Sequence, residues 1–233
     1  DCKFDRKNYF YPDNPQNYQI SQLYLPICRN GHVDVTLSDG TEKTIRIHEI
    51  HMEEDAGKLV HDEWEGVSYV DYNRSGVPLI EIVSEPDMRS AEEVIAYLTK
   101  LRTTIQYLGA SDCKLQEGSM RADVNLSVRE RGSSEFGTRT ETKNLNSFAA
   151  IERAIKAETA RQIDLIEAGE KVVQETRRWN DDKEYSYAMR SKEDAQDYRY
   201  FPDPDLVPIH ISDEYLAELK AKQPEFKDEK KAV

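Results

Sequence analysis

The sequence predicts an α+β fold with a mainly antiparallel sheet and two long helices. Most of the chain consists of short segments in which apolar and polar residues alternate, as in strands that are covered on one face. Residues 90–109 and 147–169 instead repeat apolar residues every three or four positions, which is typical of amphipathic helices. Because helices interrupt the run of strands without a regular β-α-β alternation, the pattern favours α+β over a parallel α/β sheet.

The first 53 residues are predicted to contain a loop followed by a hairpin. Residues 1–31 are aromatic and contain prolines at positions 12, 15 and 26, which indicates a loop. Residues 32–53 alternate on both sides of an SDG turn, and this pattern predicts a hairpin. Its apolar positions are Val33, Val35, Leu37, Ile45, Ile47, Ile50 and Met52. The apolar parity changes after Ile47, which predicts a bulge or bend.

Both helices carry their own start and stop signals. Ser90 and Glu93 form a predicted capping box, and Gly109 ends the first helix. The second helix is predicted from Ser147 to Ala168, with Gly169 after it. The apolar stripe of the first helix is Val94, Leu98, Leu101 and Ile105; that of the second, predicted to be core, is Phe148, Ile151, Ile155 and Ile163.

The remaining segments are predicted to be strands and turns. Residues 67–85 predict two strands around NRSG, residues 119–130 alternate cleanly, and residues 172–190 predict another hairpin. Residues 197–211 are irregular and end in a short strand, and the last ~20 residues resemble the start of a helical region.

Composition narrows the class of protein. With 233 residues, of which 38% are hydrophobic and 33% charged, the chain suits one large domain or a domain plus part of another. A net charge of -13 argues against nucleic-acid binding over the whole surface, although a local basic patch remains compatible. No apolar run reaches the length of a membrane span, and no signal peptide is found. The chain starts at Asp1 rather than at methionine, which we interpret as a fragment.

Cysteine usage fits a reducing cytoplasm. Cys2, Cys28 and Cys113 are far apart and odd in number, and no CxxC pair occurs. This arrangement argues against a disulfide framework and against a complete zinc site.

The stretch HMEEDAGK at 51–58 is the first candidate for chemistry. If it is extended, Met52 and Glu54 share one face, whereas His51, Glu53 and Asp55 share the other. Carboxylates are the preferred Mg²⁺ ligands, usually one or two together with water and substrate phosphate. For three adjacent acids alone, however, a solvated turn is the favoured interpretation.

Other polar residues strengthen the case for a metal site. Glu81 lies in the apolar strand PLIEIV. A carboxylate there could bind a metal or act as a base, or it could form an ion pair on the strand face. Asp123 and Asn125 line the polar face of 119–130, which alone would indicate an exposed sheet face. Four basic residues could hold phosphates against the metal: Lys7, Arg74, Arg121 and Lys143. Taken singly, each of them is more often a surface charge.

Several familiar motifs are absent from the sequence. There is no Walker A loop, no GxGxxG, no GxSxG, and the five histidines lack HExxH spacing. Tyr198, Tyr200 and Phe201 could stack on a base, but packing under a loop is favoured. Residue types and spacing therefore predict a cytosolic α+β domain with a candidate Mg²⁺–phosphate site.

Longer motifs resemble one family along essentially the whole chain and in order. These motifs are KFDRKNYFYPDNPQNYQISQ, HMEEDAGK, NRSGVPLIEIVSEPD, EGSMRADVNLSVR, TKNLNSF, QETRRW and DYRYFPDPDLVPI. Together they closely resemble the B subunit of the aspartyl/glutamyl-tRNA(Asn/Gln) amidotransferase.

The resemblance implies a cytoplasmic ligase that forms a carbon–nitrogen bond with glutamine as amido donor. ATP and Mg²⁺ would serve to phosphorylate the side-chain carboxylate of mischarged Glu-tRNA(Gln) or Asp-tRNA(Asn). Ammonia released by the amidase, which is the A subunit of such enzymes, would then displace the phosphate. A small C subunit would hold the A and B subunits together in a heterotrimer. No membrane partner is implied. The implied domains are a catalytic cradle at 1–212 and the start of a helical domain at 213–233.

The resemblance also implies roles for individual residues. Glu54 of HMEED, Glu81 of PLIEI and Asp123 of MRADVN resemble Mg²⁺ ligands, and Lys7 of FDRKNY resembles a catalytic lysine that contacts phosphate or substrate. The weaker candidates for contacts to phosphate, ATP or the tRNA end are Arg74, Arg121, Lys143 and Arg199.

Two departures from the family pattern bear on activity. Members of the family begin with a segment that supplies a glutamate and a histidine to the metal site, and some members also have zinc-binding cysteines near it. We expect this chain to lack that segment and those cysteines. We also expect it to lack most of the C-terminal domains. We therefore expect this chain alone to be inactive. Two rival hypotheses are a non-catalytic scaffold that holds the amidase and the tRNA end, and an unrelated metal-dependent phosphotransferase.

Overall fold

The computed structural model describes residues 1–62, 64–191 and 197–226. Within these ranges the chain forms twelve strands and three α-helices, and strand pairing is mainly antiparallel. The predicted α+β class is therefore confirmed. Within the same ranges, no helix is long and apolar enough to cross a membrane.

The chain divides into two compact units, which are described separately. The first unit comprises Asp1–Val33, Thr44–Asp87 and Gln196–Gln223, and the second comprises Asp34–Lys43, Met88–Ala195 and Pro224–Val233. Helix α3 (Asp213–Lys222) begins after the N-cap residue Ser212. Residues 227–233 of the predicted helical region lie outside the described residues, and the domain boundary at 212 stays a prediction.

The first sheet of the first unit has the order β12-β1-β2. Its strands are β1 (Asp5–Asn8), β2 (Tyr18–Ser21) and β12 (Phe201–Pro202). The prediction of a loop over residues 1–31 is therefore wrong for β1 and β2. Strand β1 has the sequence DRKN, which is wholly polar and shows no alternation, and the prolines at 12 and 15 lie in the connection between the strands.

A second sheet has the order β3-β4-β7. Its strands are β3 (Cys28–Thr36), β4 (Glu42–Glu54) and β7 (Pro78–Ser84). The predicted hairpin is confirmed, because the Leu37 amide donates to the Thr41 carbonyl at 2.8 Å and so closes the SDG turn. The predicted bulge is also confirmed, because the β4–β7 register shifts between Ile47 and Glu49.

Another sheet of the first unit is a two-stranded ribbon. It pairs β5 (Lys58–Asp62) with β6 (Val67–Asp71) in antiparallel fashion. Strands β6 and β7 confirm the two strands predicted around NRSG, although they pair with different partners. Strand β5 was not predicted, since its five residues KLVHD carry no clear period.

The second unit contains both long helices, α1 (Ala91–Tyr107) and α2 (Phe148–Glu167). The Ser90 side chain accepts from the Glu93 amide at 3.2 Å, whereas the Glu93 carboxylate accepts from the Arg89 amide. Gly109 and Gly169 follow the helices with φ of 68° and 77°. The predicted starts and ends of both helices are thus confirmed.

A four-stranded sheet with the order β11-β10-β9-β8 completes the second unit. Its strands are β8 (Val124–Leu126), β9 (Thr140–Lys143), β10 (Glu175–Asn180) and β11 (Tyr185–Ser191). The predicted β10–β11 hairpin is confirmed. The alternating pattern covers residues 119–130, but the strand formed there, β8, is only three residues long. The reason is that β8 pairs with β9 at only three positions.

The core of the second unit lies between α2 and this sheet. Its buried members are Leu145, Ala150, Ile151, Ala154, Ile155 and Trp179. The predicted core role is confirmed for Ile151 and Ile155, but it is wrong for Ile163, which is 41% exposed. In the C-terminal half of α2 the residues that face inward are polar, since the buried residues there are Glu158 and Gln162.

Candidate metal and phosphate site

The sheet of β3, β4 and β7 brings three potential metal ligands together in the first unit. The register pairs His51 of β4 directly with Glu81 of β7, and Glu53 follows two residues along β4. Residues two apart in a strand share a face, so His51 and Glu53 point the same way. One ligand atom from each of these three residues lies within 4.8 Å of the other two.

The imidazole of His51 sits among carboxylates. Its Nε2 lies 3.5 Å from Glu53 Oε2 and 3.6 Å from Glu81 Oε2, and its Nδ1 lies 3.5 Å from Glu49 Oε1. The Glu53 and Glu81 carboxylates raise the pKa of His51 to about 10, although burial opposes the shift. The protonated ring therefore supplies the positive charge that this cluster requires when no other cation is bound.

This donor set fits a divalent cation. Two carboxylates match the usual protein contribution to an Mg²⁺ site, and the imidazole nitrogen also suits Mn²⁺ or Zn²⁺. Metal binding requires a neutral imidazole, so a cation would displace the His51 proton. The Glu81 side chain is 54% exposed, which leaves that side of the cluster open to solvent and to a ligand.

Strands β1 and β2 adjoin the cluster through one face. Ser21 donates its hydroxyl to Glu53 Oε2 at 3.3 Å, and Gln19 donates its amide to the Glu54 carbonyl at 2.7 Å. In the β1–β2 register Ser21 pairs with Asp5 and Gln19 pairs with Lys7. Residues that pair across two strands share a face, and so do residues two apart along one strand. Lys7 therefore lies on the same face of this ribbon as Gln19 and Ser21, which are bonded to the end of β4.

Two tyrosine rings lie beside the Lys7 ammonium. The Lys7 ammonium lies 4.7 Å from the ring centroid of Tyr198 and 5.9 Å from that of Tyr9. Burial, helped by the Glu53 carboxylate, raises the pKa values of Tyr9 and Tyr200 to about 12. Both phenols are thus neutral at pH 7, and both feel the charge of the acidic cluster.

Glu54, predicted from the sequence as a metal ligand, lies outside this cluster. Its Oε2 accepts from the Ile20 amide at 3.3 Å and from the Gln16 side chain at 3.4 Å. Glu54 and Glu53 are adjacent in the strand and so point to opposite faces. Glu81 is therefore the predicted ligand that the structure brings to His51 and Glu53.

The predicted cations of the first unit have different surroundings. Arg74 Nε is buried 3.7 Å from Asp55 Oδ2, beyond hydrogen-bond distance, and Asp13 Oδ1 is also buried without a hydrogen bond. Arg199 is exposed in a left-handed backbone conformation with φ of 46°, and its carbonyl accepts from the Asn8 side-chain amide at 2.9 Å.

The remaining predicted residues belong to the second unit. Asp123 accepts from the Lys143 ammonium at 2.6 Å, and Glu141 lies 3.3 Å from the same ammonium. Burial would lower the pKa of Lys143, but these carboxylates outweigh it and raise that pKa. Arg121 is exposed, as Asp123 is. The three-residue ligand set of Glu54, Glu81 and Asp123 stays a prediction.

His51 and Glu53 are the site residues that the sequence-based assignment left out. A local signal was present, because strand alternation places both on one face. The decisive signal was nonlocal, since Glu81 meets His51 only through the β4–β7 register. Metal-ligand spacing rules built for helices cannot detect such a pair.

Together, the fold and these side chains define an α+β protein with a candidate divalent-cation site beside a lysine held among tyrosines. The chain belongs to the GatB/GatE catalytic domain family, whose sequence model matches residues 1–217. This confirms the family resemblance found in the motifs.

Three curated relatives share one name, that of the B subunit of an aspartyl/glutamyl-tRNA(Asn/Gln) amidotransferase. The chain is 78% identical over 230 residues to the relative from Agathobacter rectalis, covering 99% of this chain and 48% of the relative. The relatives from Lachnoclostridium phytofermentans and Caldicellulosiruptor saccharolyticus are 72% and 60% identical, each over 98% of this chain and 48% of the relative. The chain spans about half the length of the curated relatives it matches.

Proposed function

We propose that this chain is part of the B subunit of a glutamine-dependent tRNA amidotransferase and carries much of its ATP-dependent kinase site. The substrates are mischarged Glu-tRNA(Gln) or Asp-tRNA(Asn), MgATP, and ammonia delivered by an amidase partner. The observation that carries the proposal is the cluster of His51, Glu53 and Glu81 beside the Lys7 face of the β1–β2 ribbon.

The chemistry begins with a poor electrophile. A carboxylate resists attack by ammonia, whereas its acyl phosphate has a good leaving group. Bound Mg²⁺ would neutralise phosphate charge during transfer. Glu53 and Glu81, with His51, would hold it, and Ser21 orients Glu53 through its hydroxyl.

The chain's own residues position the reactants. In the described ranges the Lys7 ammonium forms no ion pair, so its charge is available to a phosphate oxygen. The half-buried rings of Tyr9 and Tyr198 lie beside the Lys7 ammonium, and such partly apolar surroundings strengthen the attraction between Lys7 and an anion.

The complete enzyme would be a cytoplasmic heterotrimer of this protein with the amidase and a small third protein, and this chain alone would be inactive. The net charge of -13 fits a catalytic role better than the main grip on tRNA. Arg74, Arg121, Lys143 and Arg199 would serve as secondary contacts to phosphate or to the tRNA end.

The test follows phosphate release from ATP by the full-length protein in complex with its partners. Mg²⁺-dependent release should require mischarged tRNA, and Glu81→Gln should reduce it about a hundredfold or more, since a metal ligand contributes several kcal/mol. The control is Glu65→Gln, an exposed carboxylate bonded to Tyr69. Release by Glu81→Gln at a near wild-type rate would contradict the proposed kinase site.

A further inference from the structure

We infer that Tyr198 is a positioning residue: its ring face holds the Lys7 ammonium at the edge of the acidic cluster. The inference rests on the proposed function only for the ligand of Lys7, a phosphate group of ATP. The position of Lys7 itself follows from contacts within the first unit.

The need for such a device follows from the lysine side chain. Its flexible four-carbon stem allows many rotamers, and an ammonium placed near Glu53 and Glu81 would tend to collapse onto a carboxylate. In the described part of the chain it pairs with no carboxylate, and the ring of Tyr198 lies 4.7 Å away instead. A ring face attracts a cation without neutralising it, so the full charge remains available to a phosphate.

The ring of Tyr198 is itself fixed. Tyr9 meets it at an interplanar angle of 79° with centroids 6.2 Å apart, and Tyr200 meets it at 73° and 6.1 Å. Edge-to-face pairs of this geometry are favourable and directional. Tyr9, Tyr198 and Tyr200 form what we call the tyrosine cluster, which gives Lys7 one defined ring face rather than a mobile one.

The backbone couples the two motifs. Asn8, the neighbour of Lys7, donates its backbone amide to the Tyr198 carbonyl at 3.0 Å and its side-chain amide to the same carbonyl at 3.2 Å. Asn8 and Tyr198 are therefore held together although 190 positions separate them along the chain. The DRKNY and DYRYF motifs thus act as one structural element that presents Lys7.

The first experiment reads position without activity. Lysines of the full-length protein in its complex are dimethylated with ¹³C, and the Lys7 resonance is identified by its loss in Lys7→Arg. The Tyr198 ring current should displace this resonance from the other lysines in wild type and in Tyr198→Phe, which keeps the ring. In Tyr198→Leu it should move toward the bulk lysine position, because, of the two described rings beside Lys7, only the more distant ring of Tyr9, 5.9 Å away, remains. An unchanged Lys7 resonance in Tyr198→Leu would overturn the inference.

The second experiment uses ATP cleavage in the same complex. Tyr198→Leu should lower kcat/KM for MgATP about tenfold, whereas Tyr198→Phe should stay within about twofold. In a Lys7→Gln background Tyr198→Leu should add nothing, because both changes remove one interaction. The inference would be refuted if the losses in kcat/KM from Tyr198→Leu and Lys7→Gln multiplied in the double variant. It would also be refuted if Tyr198→Phe lowered kcat/KM as much as Tyr198→Leu.

A matched control separates positioning from general destabilisation. Tyr187 also lies in a tyrosine pair, with Tyr185 at 6.2 Å, and no described cation lies over its ring. Tyr187→Leu should leave the Lys7 resonance unchanged. If wild-type complex shows no cleavage that depends on mischarged tRNA, the proposed function fails, while the resonance still decides where Lys7 is held.

Discussion

A single inserted residue in β4 decides which side chains can meet Glu81. The register passes from Ile47 opposite Ser84 to Glu49 opposite Val83, so His48 is the extra residue. A one-residue shift moves every later side chain to the other face. Without the bulge, Met52 and Glu54 would replace His51 and Glu53 on the face that carries Glu81.

Gly57, which follows the acidic stretch, has little room for a side chain. A Cβ there would lie 3.0 Å from Tyr72 Cδ1 and 3.1 Å from the carbonyl oxygens of Asp13 and Asp71. Two of these neighbours are backbone atoms that cannot move aside. We expect Gly57→Ala to lower the free energy of unfolding by about 1–3 kcal/mol, the usual cost of overpacking, as measured by urea denaturation.

Gly31 supplies the control for this prediction. A Cβ at Gly31 would lie 3.5 Å from Ile47 Cβ, an ordinary contact, so Gly31→Ala should be neutral or slightly stabilising. Equal destabilisation by both substitutions would show that loss of glycine flexibility, rather than the tight approach at Gly57, determines the effect.

At the scale of elements, α2 attaches to its sheet through a buried polar network. Glu158 accepts from Thr140 of β9 at 2.7 Å, from Gln162 at 2.8 Å and from Arg161 at 2.7 Å. Arg177 of β10 places its Nε 3.6 Å from the same carboxylate. Each buried partner is satisfied, so the network fixes the register of helix on sheet at little net cost.

Stability should depend on the charge of Glu158. Burial would raise the pKa of Glu158, but hydrogen bonds from Arg161, Gln162 and Thr140 outweigh it, so the pKa lies below its ordinary value of 4.5. A lowered folded-state pKa stabilises the fold above the unfolded pKa, and this contribution is lost as the pH falls through the folded pKa.

We expect Glu158→Gln to destabilise the chain at pH 7 by about 1.5–3 kcal/mol, the cost of losing charged hydrogen bonds. The difference from wild type should stay constant down to about pH 5 and shrink below it, as measured by urea denaturation across that range. Glu167→Gln, at an exposed position of the same helix, serves as the control. A difference that grows as the pH falls would contradict the network's role.

Elements with local signals were predictable. Both long helices begin at the predicted serine caps and end before the predicted glycines, because capping depends on residues within one turn. Strands β1, β2 and β5 were not predictable, since four or five polar or mixed residues become a strand only when a distant partner pairs with them. The predicted apolar stripe of α2 wrongly included Ile163, because the helix face that packs inward near Gln162 is polar.

For the molecule as a whole, sequence alone identified the family but only part of the candidate site. Glu81 and Lys7 were selected from motifs. The structure places Glu81 opposite His51 in the β4–β7 ladder, and Lys7 opposite Gln19, whose side chain donates to the Glu54 carbonyl. The β4–β7 register joins His51 to a residue 30 positions away, and single-sequence patterns carry no information on such a pairing. Asp123 belongs to the other compact unit, where it pairs with Lys143.

The most direct measurement of the central claim is Mn²⁺ binding to the full-length protein in its complex, followed by electron paramagnetic resonance. Mn²⁺ accepts both imidazole and carboxylate ligands. We expect His51→Gln and Glu53→Gln each to weaken binding about tenfold or more, since even outer-shell changes have that effect, and Glu54→Gln to change it by less than about threefold. Loss of binding in Glu54→Gln with retention in His51→Gln and Glu53→Gln would contradict the cluster and restore the ligand set predicted from the sequence.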